Sequence, residues 1–421
     1  MTTTTSGAPG PAAARASTPL SLYHLLDPEV LADPYPLYAR LRTEDPVHWD
    51  PFLHAWVVTR YVDVVHVLNT FSAARTPSPE QLEAMGLSAL GPIADVMVRQ
   101  MLFLDAPSHT RIRKLAAQAF TPRRVAALRE HIQEITDRLI DAVEPTGHFD
   151  VIRDLAEPLP CIVTAEMLGV PAEHHQKLKL WSQDFAEMLG NFQHNPERAP
   201  RIAESVAAMT AYFREAMDAQ RASPRPGLLG ALMDAEVDGD RLSNDEIIAN
   251  VIVTMVGGQE TTTNLIGNGL LALLRHPDQL EKLRADPSLV PSAVEELLRF
   301  EAPSQQTARL APEDVEIGGR AIKKRQAVIA VMGAANRDPA RFPDPDRLDI
   351  ARQDNKHVAF GWGPHFCFGA ALARIEGQAS FETMLRRLPD LRLPAGTKLR
   401  WRTNLGLRGL VALPLEFGGA R

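Results

Sequence analysis

The sequence predicts a mainly α-helical protein with a minor β part. A long helix-competent run follows a capping box at Ser243, and most of the chain after residue 108 reads as helices separated by breaks that contain proline or glycine. Strand-like segments are short, and the clearest of them lie at residues 56–59 and 315–332. Long helices combined with a few short strands place the chain in a predominantly helical class.

The first part of the chain alternates short helices with irregular segments. Residues 34–36, Pro-Tyr-Pro, lead into a short helix, and residues 56–59 read as a strand. Residues 72–100 mix proline, glycine and methionine, which predicts a long, partly irregular loop. Helices are expected from residue 108 onward, with breaks near residues 145–147, 171, 196–200 and 224–227.

The best-defined helix begins at Ser243. Ser243 and Glu246 have the spacing of a capping box, in which the two side chains satisfy free N–H groups reciprocally. The chain then stays helix-competent to about Arg275, before Pro277, which corresponds to roughly 50 Å at about 1.5 Å per residue. Because this run is apolar nearly all round, we expect a buried central helix.

The last third of the chain contains most of the expected β structure. Residues 291–300 predict a helix that stops before Pro303, residues 315–322 predict a hairpin, and residues 327–332 predict a strand. A further helix is expected over residues 370–388.

Composition excludes several classes of protein. The formal net charge of −7 over 421 residues argues against a general nucleic-acid binder. The two cysteines, Cys161 and Cys367, are far apart, which argues against a disulfide framework and a cysteine-rich zinc site. Residues 1–18 read as a disordered tail without the apolar core of a signal peptide, and no window reads as a membrane span. We therefore expect a cytoplasmic protein that binds no membrane, and the length alone suggests two or three domains.

Cys367 is the most informative residue of the chain. It follows a loop that contains Gly361 and Gly363 and precedes the helix-forming run that starts at Ala370. A thiolate in that position lies near a helix N-terminus, where free N–H groups favour negative charge. The glycines leave room for a flat, bulky group, so a haem iron is a candidate partner of the sulfur. The alternative is a buried structural cysteine.

Polar residues in the expected central helix form a second motif, Gly257-Gly258-Gln259-Glu260-Thr261. Each glycine inside a helix costs about 1 kcal/mol relative to alanine, so packing or function should require them. A glutamate in an otherwise apolar buried helix is also costly and therefore indicates a function. The alternative is a close helix crossing or a kink that turns the acid and the hydroxyl toward solvent.

Two further pairs have helical spacing. Glu296 and Arg299 lie three residues apart on one face and can pair, although an exposed ion pair would look the same. His109 and Arg113 lie four residues apart and could donate to an anionic group, and the alternative is an exposed basic face.

Together these motifs resemble those of the cytochrome P450 family, in the family's order and over nearly the whole chain. The cysteine loop is similar to the family's haem-binding loop at Phe360, Gly363, His365, Cys367 and Gly369. The resemblance implies a single catalytic domain over residues 19–421, against the estimate from length. It also implies the cytochrome P450 fold, in which the long central helix lies over haem b.

The resemblance assigns a role to each motif residue. Cys367 is the expected iron ligand, and Glu260 with Thr261 is the expected acid–alcohol pair that relays protons to oxygen. The remaining expectations are haem contacts from His109, Arg113, Arg309, Phe360, Gly361, His365 and Gly369, and a structural pair with a third member from Glu296, Arg299 and Arg347. Substrate contacts are expected from residues 72–100, 253–257, 303–307 and 404–407, including Val253, Gly257, Gln305, Gln306 and Leu405.

The function implied is a monooxygenase that uses O2 to hydroxylate or epoxidise a small apolar molecule, with secondary metabolism as the expected setting. Because the chain has no nucleotide-binding motif, electrons should come from an acidic ferredoxin and its reductase. No acidic residue occurs between Asp105 and Glu130, and the basic residues of that stretch form the expected docking patch. They are Arg111, Arg113, Lys114, Arg123, Arg124 and Arg129. Two alternatives remain: the same fold catalysing oxidative ring closure or aryl coupling without oxygen insertion, and a non-catalytic haem-binding or carrier-docking protein.

Overall fold

The computed structural model describes residues 20–191 and 196–418, and it confirms the predicted class: long helices dominate and the strands are short. The predicted tail, residues 1–18, lies outside the described residues. Within the described part of the chain, no helix combines the length and apolar character needed to cross a membrane. The extent of one catalytic domain over residues 19–421 stays a prediction.

The helices are numbered in chain order. Their bounds are α1 Pro28–Ala32, α2 Tyr35–Glu44, α3 Tyr61–Thr70, α4 Pro79–Ala84, α5 Gly91–Met97, α6 Ser108–Ala119, α7 Pro122–Ala127, α8 Arg129–Val143, α9 Pro158–Met167, α10 His175–Asn191, α11 Ala199–Ala222, α12 Leu228–Asp234, α13 Asn244–Arg275, α14 Pro277–Ala285, α15 Val290–Phe300, α16 Met332–Ala335 and α17 Ala370–Arg387.

The strands form one four-stranded sheet and three two-stranded pairs. Their bounds are β1 Val47–Asp50, β2 Ala55–Val58, β3 His148–Asp150, β4 Glu236–Val237, β5 Asp240–Arg241, β6 Thr307–Leu310, β7 Val315–Ile317, β8 Arg320–Ile322, β9 Ala327–Ala330 and β10 Pro414–Glu416. The sheet has the order β1-β2-β9-β6, and its β2–β9 pair is parallel while the other two pairs are antiparallel. The predicted hairpin over residues 315–322 is the β7–β8 pair.

Helix α13 is the predicted central helix. The Ser243 side chain accepts a hydrogen bond from the Glu246 N–H, and the Ser243 N–H donates to the Glu246 carboxylate at 2.8 Å, so the capping box is complete. The N-terminal half of α13 packs into one apolar cluster with α10 and α11, and its C-terminal half packs into another with α8, α15 and α17. Residues 257–264 belong to neither cluster, so the polar motif lies at the junction of the two cores.

The prediction of a long, partly irregular loop over residues 72–100 is wrong in part, because two helices form there. Helix α4 begins at a second capping box, in which the Ser78 and Gln81 side chains bond reciprocally to each other's backbone N–H. Helix α5 follows after a short 3-10 turn, and Pro92 occupies its first turn, where a missing N–H costs nothing. Proline at a helix start was therefore misinterpreted as a sign of loop.

Candidate functional site

A cavity, which we call the central cavity, lies between the middle of α13 and the segment that contains Cys367. Gly257 and Thr261 line it on the α13 side, and Phe360 and Cys367 line it on the opposite side. Every residue predicted to contact the cofactor or the iron lies in its walls: His109, Arg113, Arg309, Phe360, Gly361, His365, Cys367 and Gly369. The fold thus gathers residues from four separate segments around one space.

The loop before Cys367 depends on two glycines. Gly361 and Gly363 have φ values of +72° and +67°, which other residues rarely adopt. A Cβ on Gly363 would also lie 2.6 Å from the Asn69 side chain of α3, so the loop packs closely against that helix. The Cys367 N–H donates to the Phe360 carbonyl at 2.8 Å and closes the loop. The side chain of Cys367 is therefore held at the cavity wall, just before α17.

Cys367 is exposed and lines the central cavity. Burial within the surrounding protein raises the pKa of the thiol, while the Gly369 N–H and the guanidinium groups of Arg113 and Arg374 lower it. Those donors stabilise the thiolate, and coordination to a metal deprotonates a thiol outright. The environment thus suits a sulfur that carries charge only when it is bound to a cation.

Histidine and arginine side chains form a cationic edge on the central cavity. The rings of His109 and His365 lie 4.2 Å apart, and burial lowers the pKa of His365 to about 3, with His109 and Arg309 lowering it further. Burial also lowers the pKa of His109, and it lowers that of Arg309 to about 10. The Nε2 atom of His109 and the Nε atom of Arg309 are buried and have no partner among the described residues. Unpaired buried donors of this kind indicate an anionic ligand.

Arg75 belongs to the same edge, and sequence reasoning missed it. Its half-buried guanidinium lies 4.6 Å from the centre of the Phe103 ring, and desolvation together with Arg309 lowers its pKa to about 9. It lies in a segment that carries no recognisable motif. Arg75 and the buried Arg309 repel each other, so an anion bound between them would stabilise both.

The residues of the α13 motif Gly257-Gly258-Gln259-Glu260-Thr261 face different neighbours. A Cβ on Gly258 would lie 3.0 Å from the Thr164 hydroxyl of α9, so this glycine permits a close helix crossing. A Cβ on Gly257 would meet nothing within 4 Å, and that glycine opens onto the central cavity. The Thr261 hydroxyl donates to the Gly257 carbonyl at 2.8 Å. Glu260 does not line the central cavity; it contacts Arg402 on another side of the helix.

Glu296 and Arg299 form a fully buried ion pair, with N–O distances of 2.7 and 2.8 Å. The prediction that Arg347 is the third member is wrong, because its side chain is exposed. Arg347 contributes only a backbone carbonyl, which accepts a hydrogen bond from Arg299. Arg352 takes that place, because its Nε lies 3.2 Å from both Glu296 oxygens. The chain reverses between the two arginines, and the local sequence does not reveal which of them turns inward.

The predicted substrate contacts are placed in two groups. Val253, Gly257 and Gln306 line the central cavity. Gln305 and Leu405 do not, which corrects that part of the prediction: Gln305 packs near Tyr38 and Gly333, and Leu405 lies in the apolar cluster beside α2. Gly406 and Leu407, which follow Leu405 in the chain, line the cavity instead. Successive side chains of an extended segment point to opposite sides, which explains why Gln306 reaches the cavity and Gln305 does not. Residues 405 and 406 form a bend, so this alternation does not apply to Leu405.

The predicted basic patch is partly neutralised. Arg111 pairs with Asp240 and Glu246, and Lys114 pairs with Asp238, so the β4–β5 hairpin and the start of α13 cover this face of α6. Arg113 donates to the Phe366 carbonyl beside the cysteine loop. The patch members that form no ion pair with the described residues are Arg113, Arg123, Arg124 and Arg129.

An iron porphyrin with two carboxylate groups fits this set of residues. Cys367 offers one sulfur ligand on one side of the cavity, and the cationic edge offers donors for both carboxylates. The unpartnered Nε2 of His109 and Nε of Arg309 are the observation that favours such an anion. Because Gly361 carries no side chain, a flat ring can approach the loop closely.

Comparison with known proteins shows which family the chain belongs to. The cytochrome P450 family model matches residues 48–400. Cytochrome P450 107B1 of Saccharopolyspora erythraea is 43% identical over 397 residues, which cover 90% of this chain and 94% of that protein. The 6-deoxyerythronolide B hydroxylase of the same organism is 39% identical over 396 residues, covering 92% and 96%. The crystal structure of P450BioI in complex with hexadec-9Z-enoic acid ligated acyl carrier protein matches with a TM-score of 0.87 and 35% identity, covering 93% of this chain and 99% of that one.

Proposed function

We propose, from the premise that this chain belongs to the cytochrome P450 family of haem b monooxygenases, that it hydroxylates or epoxidises a small apolar molecule of secondary metabolism. The observation that carries the proposal is the central cavity itself, in which Cys367 and Thr261 lie on opposite walls and most of the remaining lining is apolar. When bound, haem b supplies the chemistry that activates O2.

Different residues around the central cavity are assigned to the iron and to the propionates of the cofactor. We assign Cys367 as the iron ligand and the cationic edge, formed by Arg75, His109, Arg309 and His365, as the site that holds the two propionates. Removing either the sulfur ligand or the donors of the edge should weaken haem binding, because each supplies contacts that the other cannot replace. Glu296, Arg299 and Arg352 join α15 to the segment that precedes the cysteine loop, where Asn355 also donates to Glu296 at 3.1 Å.

Thr261 and Glu260 are assigned to proton handling. The Thr261 hydroxyl is held by the Gly257 carbonyl and lines the cavity, so its oxygen can accept a hydrogen bond from a proton donor there. Glu260 is largely buried, and burial raises the pKa of its carboxyl, which keeps a proton available nearer to neutral pH. A mainly apolar wall, to which Val253 and Leu407 contribute, excludes bulk water and orients the substrate.

For the substrate we propose a polyketide-type scaffold. One relative is a hydroxylase of 6-deoxyerythronolide B, and the central cavity has the apolar character that such a scaffold requires. A carrier-bound acyl chain is the second candidate, because the structurally similar P450BioI was crystallised with an acyl carrier protein that bears hexadec-9Z-enoic acid. Titration with each ligand type, free and carrier-bound, would separate the two candidate substrates, because the true substrate should shift the spin state of the haem.

We propose an acidic ferredoxin, reduced by a ferredoxin reductase, as the electron donor. Arg123, Arg124 and Arg129 make no ion pair with the described residues, and they lie on or beside α7, near the start of α8. Unpaired surface cations attract an acidic partner and accelerate its association.

The test of this proposal uses the haem-loaded protein. Replacing Cys367 with Ser should abolish the red-shifted, thiolate-type absorption of the reduced CO complex, and an unchanged spectrum would refute the ligand assignment. Turnover under labelled O2 should place one oxygen atom in the product. A product of unchanged oxygen content that has lost two hydrogens would instead favour ring closure or aryl coupling.

A further inference from the structure

Arg374 of α17 lies behind the cysteine loop, and the proposed function gives it no role. Its guanidinium carbon lies 4.6 Å from the centre of the Phe360 ring, a distance at which a cation is attracted to an aromatic face. Phe360 lines the central cavity, and its carbonyl accepts the hydrogen bond from the Cys367 N–H that closes the loop. Arg374 itself does not line the cavity, so its charge acts on the cysteine from outside.

A carboxylate of the neighbouring helix fixes Arg374 in this place. Glu295 of α15 accepts hydrogen bonds from two guanidinium nitrogens of Arg374 at 2.7 and 2.8 Å, which is the bidentate geometry of a charge-assisted pair. The Nε2 atom of the buried His357 lies 3.3 Å from the same carboxylate. Burial raises the pKa of Glu295, but the hydrogen bonds from Arg374 and His357 lower it to about 2. Glu295 is therefore charged at neutral pH and held by two partners.

Arg374 and Arg113 are the two cations that act on the sulfur. Burial raises the pKa of the Cys367 thiol, and both guanidinium groups lower it. Arg113 lies 5.7 Å from the centre of the Phe368 ring and makes no ion pair with the described residues, whereas Arg374 is paired with Glu295. The two cations thus differ in that a carboxylate offsets the charge of only one of them.

We propose that the Arg374–Glu295 pair sets the reduction potential of the bound haem iron, with Arg374 raising the potential and Glu295 offsetting part of that effect. This inference rests on the proposed function and concerns how readily the iron accepts an electron. One-electron reduction adds one negative charge to the iron and its sulfur ligand, and the electron comes from the ferredoxin or, in a titration, from dithionite. A nearby cation stabilises the more negative state, and a nearby anion destabilises it.

The test is a spectroelectrochemical titration of the haem-loaded protein without substrate. Arg374→Gln removes the cation, and Glu295→Gln removes the anion while keeping an amide oxygen that can accept from Arg374. Arg374→Lys keeps the charge at its position. Arg386→Gln is the matched control, because it removes an exposed cation, paired with Asp137, from the other end of the same helix.

We expect Arg374→Gln to disfavour the reduced state about tenfold, which corresponds to a shift of about 59 mV toward more negative potential for one electron. Glu295→Gln should shift the potential in the positive direction, and Arg374→Lys and Arg386→Gln should stay close to the parent protein. Shifts of the same sign in the Arg374→Gln and Glu295→Gln variants, or no shift, would overturn the inference, since general damage to the loop would move both alike.

Two further measurements keep the outcomes apart. If Arg374→Gln does not retain haem, Glu295→Gln decides the inference, because a negative shift or no shift in that variant would overturn it. Loss of the thiolate-type CO spectrum in the parent protein would instead overturn the proposed function, and the titration does not depend on turnover.

Discussion

The buried cluster around Glu296 allows the strongest quantitative prediction. Glu296→Gln removes the negative charge while nearly preserving the volume of the side chain. Arg299 is fully buried and keeps no other carboxylate within ion-pair distance among the described residues, so the substitution leaves an uncompensated cation in the core. Breaking a buried pair in this way costs about 3–5 kcal/mol.

Two arginine variants provide comparisons for the loss in free energy of unfolding that we expect for Glu296→Gln. Arg352→Ala removes charge-assisted hydrogen bonds to both Glu296 oxygens but leaves the Arg299 pair, so we expect a loss of about 1.5–3 kcal/mol. Arg347→Ala is the matched control, because its exposed side chain makes no contact with Glu296, and its effect should stay within about 0.5 kcal/mol.

The assay is urea unfolding of the haem-loaded proteins, followed by far-ultraviolet circular dichroism and by the haem absorption band. The free energies of unfolding should decrease in the order Arg347→Ala, Arg352→Ala, Glu296→Gln. A loss for Arg347→Ala that equals or exceeds the loss for Arg352→Ala would refute the assignment of the third member.

Three further predictions concern proton handling, pH and docking. Thr261→Ala should leave substrate binding intact and lower product formed per NADPH about tenfold, with peroxide replacing product, and full coupling would remove Thr261 from the relay. Burial raises the pKa of Glu376 to about 8 from 4.5, so the folded state retains a proton that the unfolded state releases and stability falls as pH rises across that interval. Glu376→Gln should therefore be more stable than the parent by about 3 kcal/mol at pH 7 and not at pH 4, and equal differences at both pH values would contradict this cause. Neutralising Arg123, Arg124 and Arg129 together should slow reduction by an acidic ferredoxin about tenfold at low salt and have little effect at high salt, whereas an unaltered rate would remove these residues from the docking surface.

Much of the fold was predictable because its signals are local. The capping box at Ser243 and the proline after Arg275 define the central helix to within a residue, since helix ends depend on groups one turn away. The spacing of Glu296 and Arg299 likewise predicts a pair on one helix face. The helices within residues 72–100 were missed because proline in a first turn resembles a loop signal until the chain around it is folded.

Other site residues were invisible in the sequence. Arg75 stands in no motif, and its role follows from its burial beside Arg309, a neighbour more than two hundred residues away. The choice of Arg352 over Arg347 depends on how the segment between them turns, and both residues are compatible with the local sequence. The same holds for Gln305 and Gln306, of which only Gln306 lines the central cavity.

The sequence by itself determined the chemistry at the centre of this protein: a cysteine in a glycine loop before a helix, and an acid beside an alcohol in a long apolar helix. Both are contiguous motifs whose backbone geometry depends on neighbours within a few residues. Tertiary structure alone decided which way Glu260 faces, which arginines belong to the cationic edge and which surface cations of the described residues form no ion pair. Those outcomes depend on contacts between segments far apart in the chain, where burial and charge pairing select one of several locally equivalent side chains.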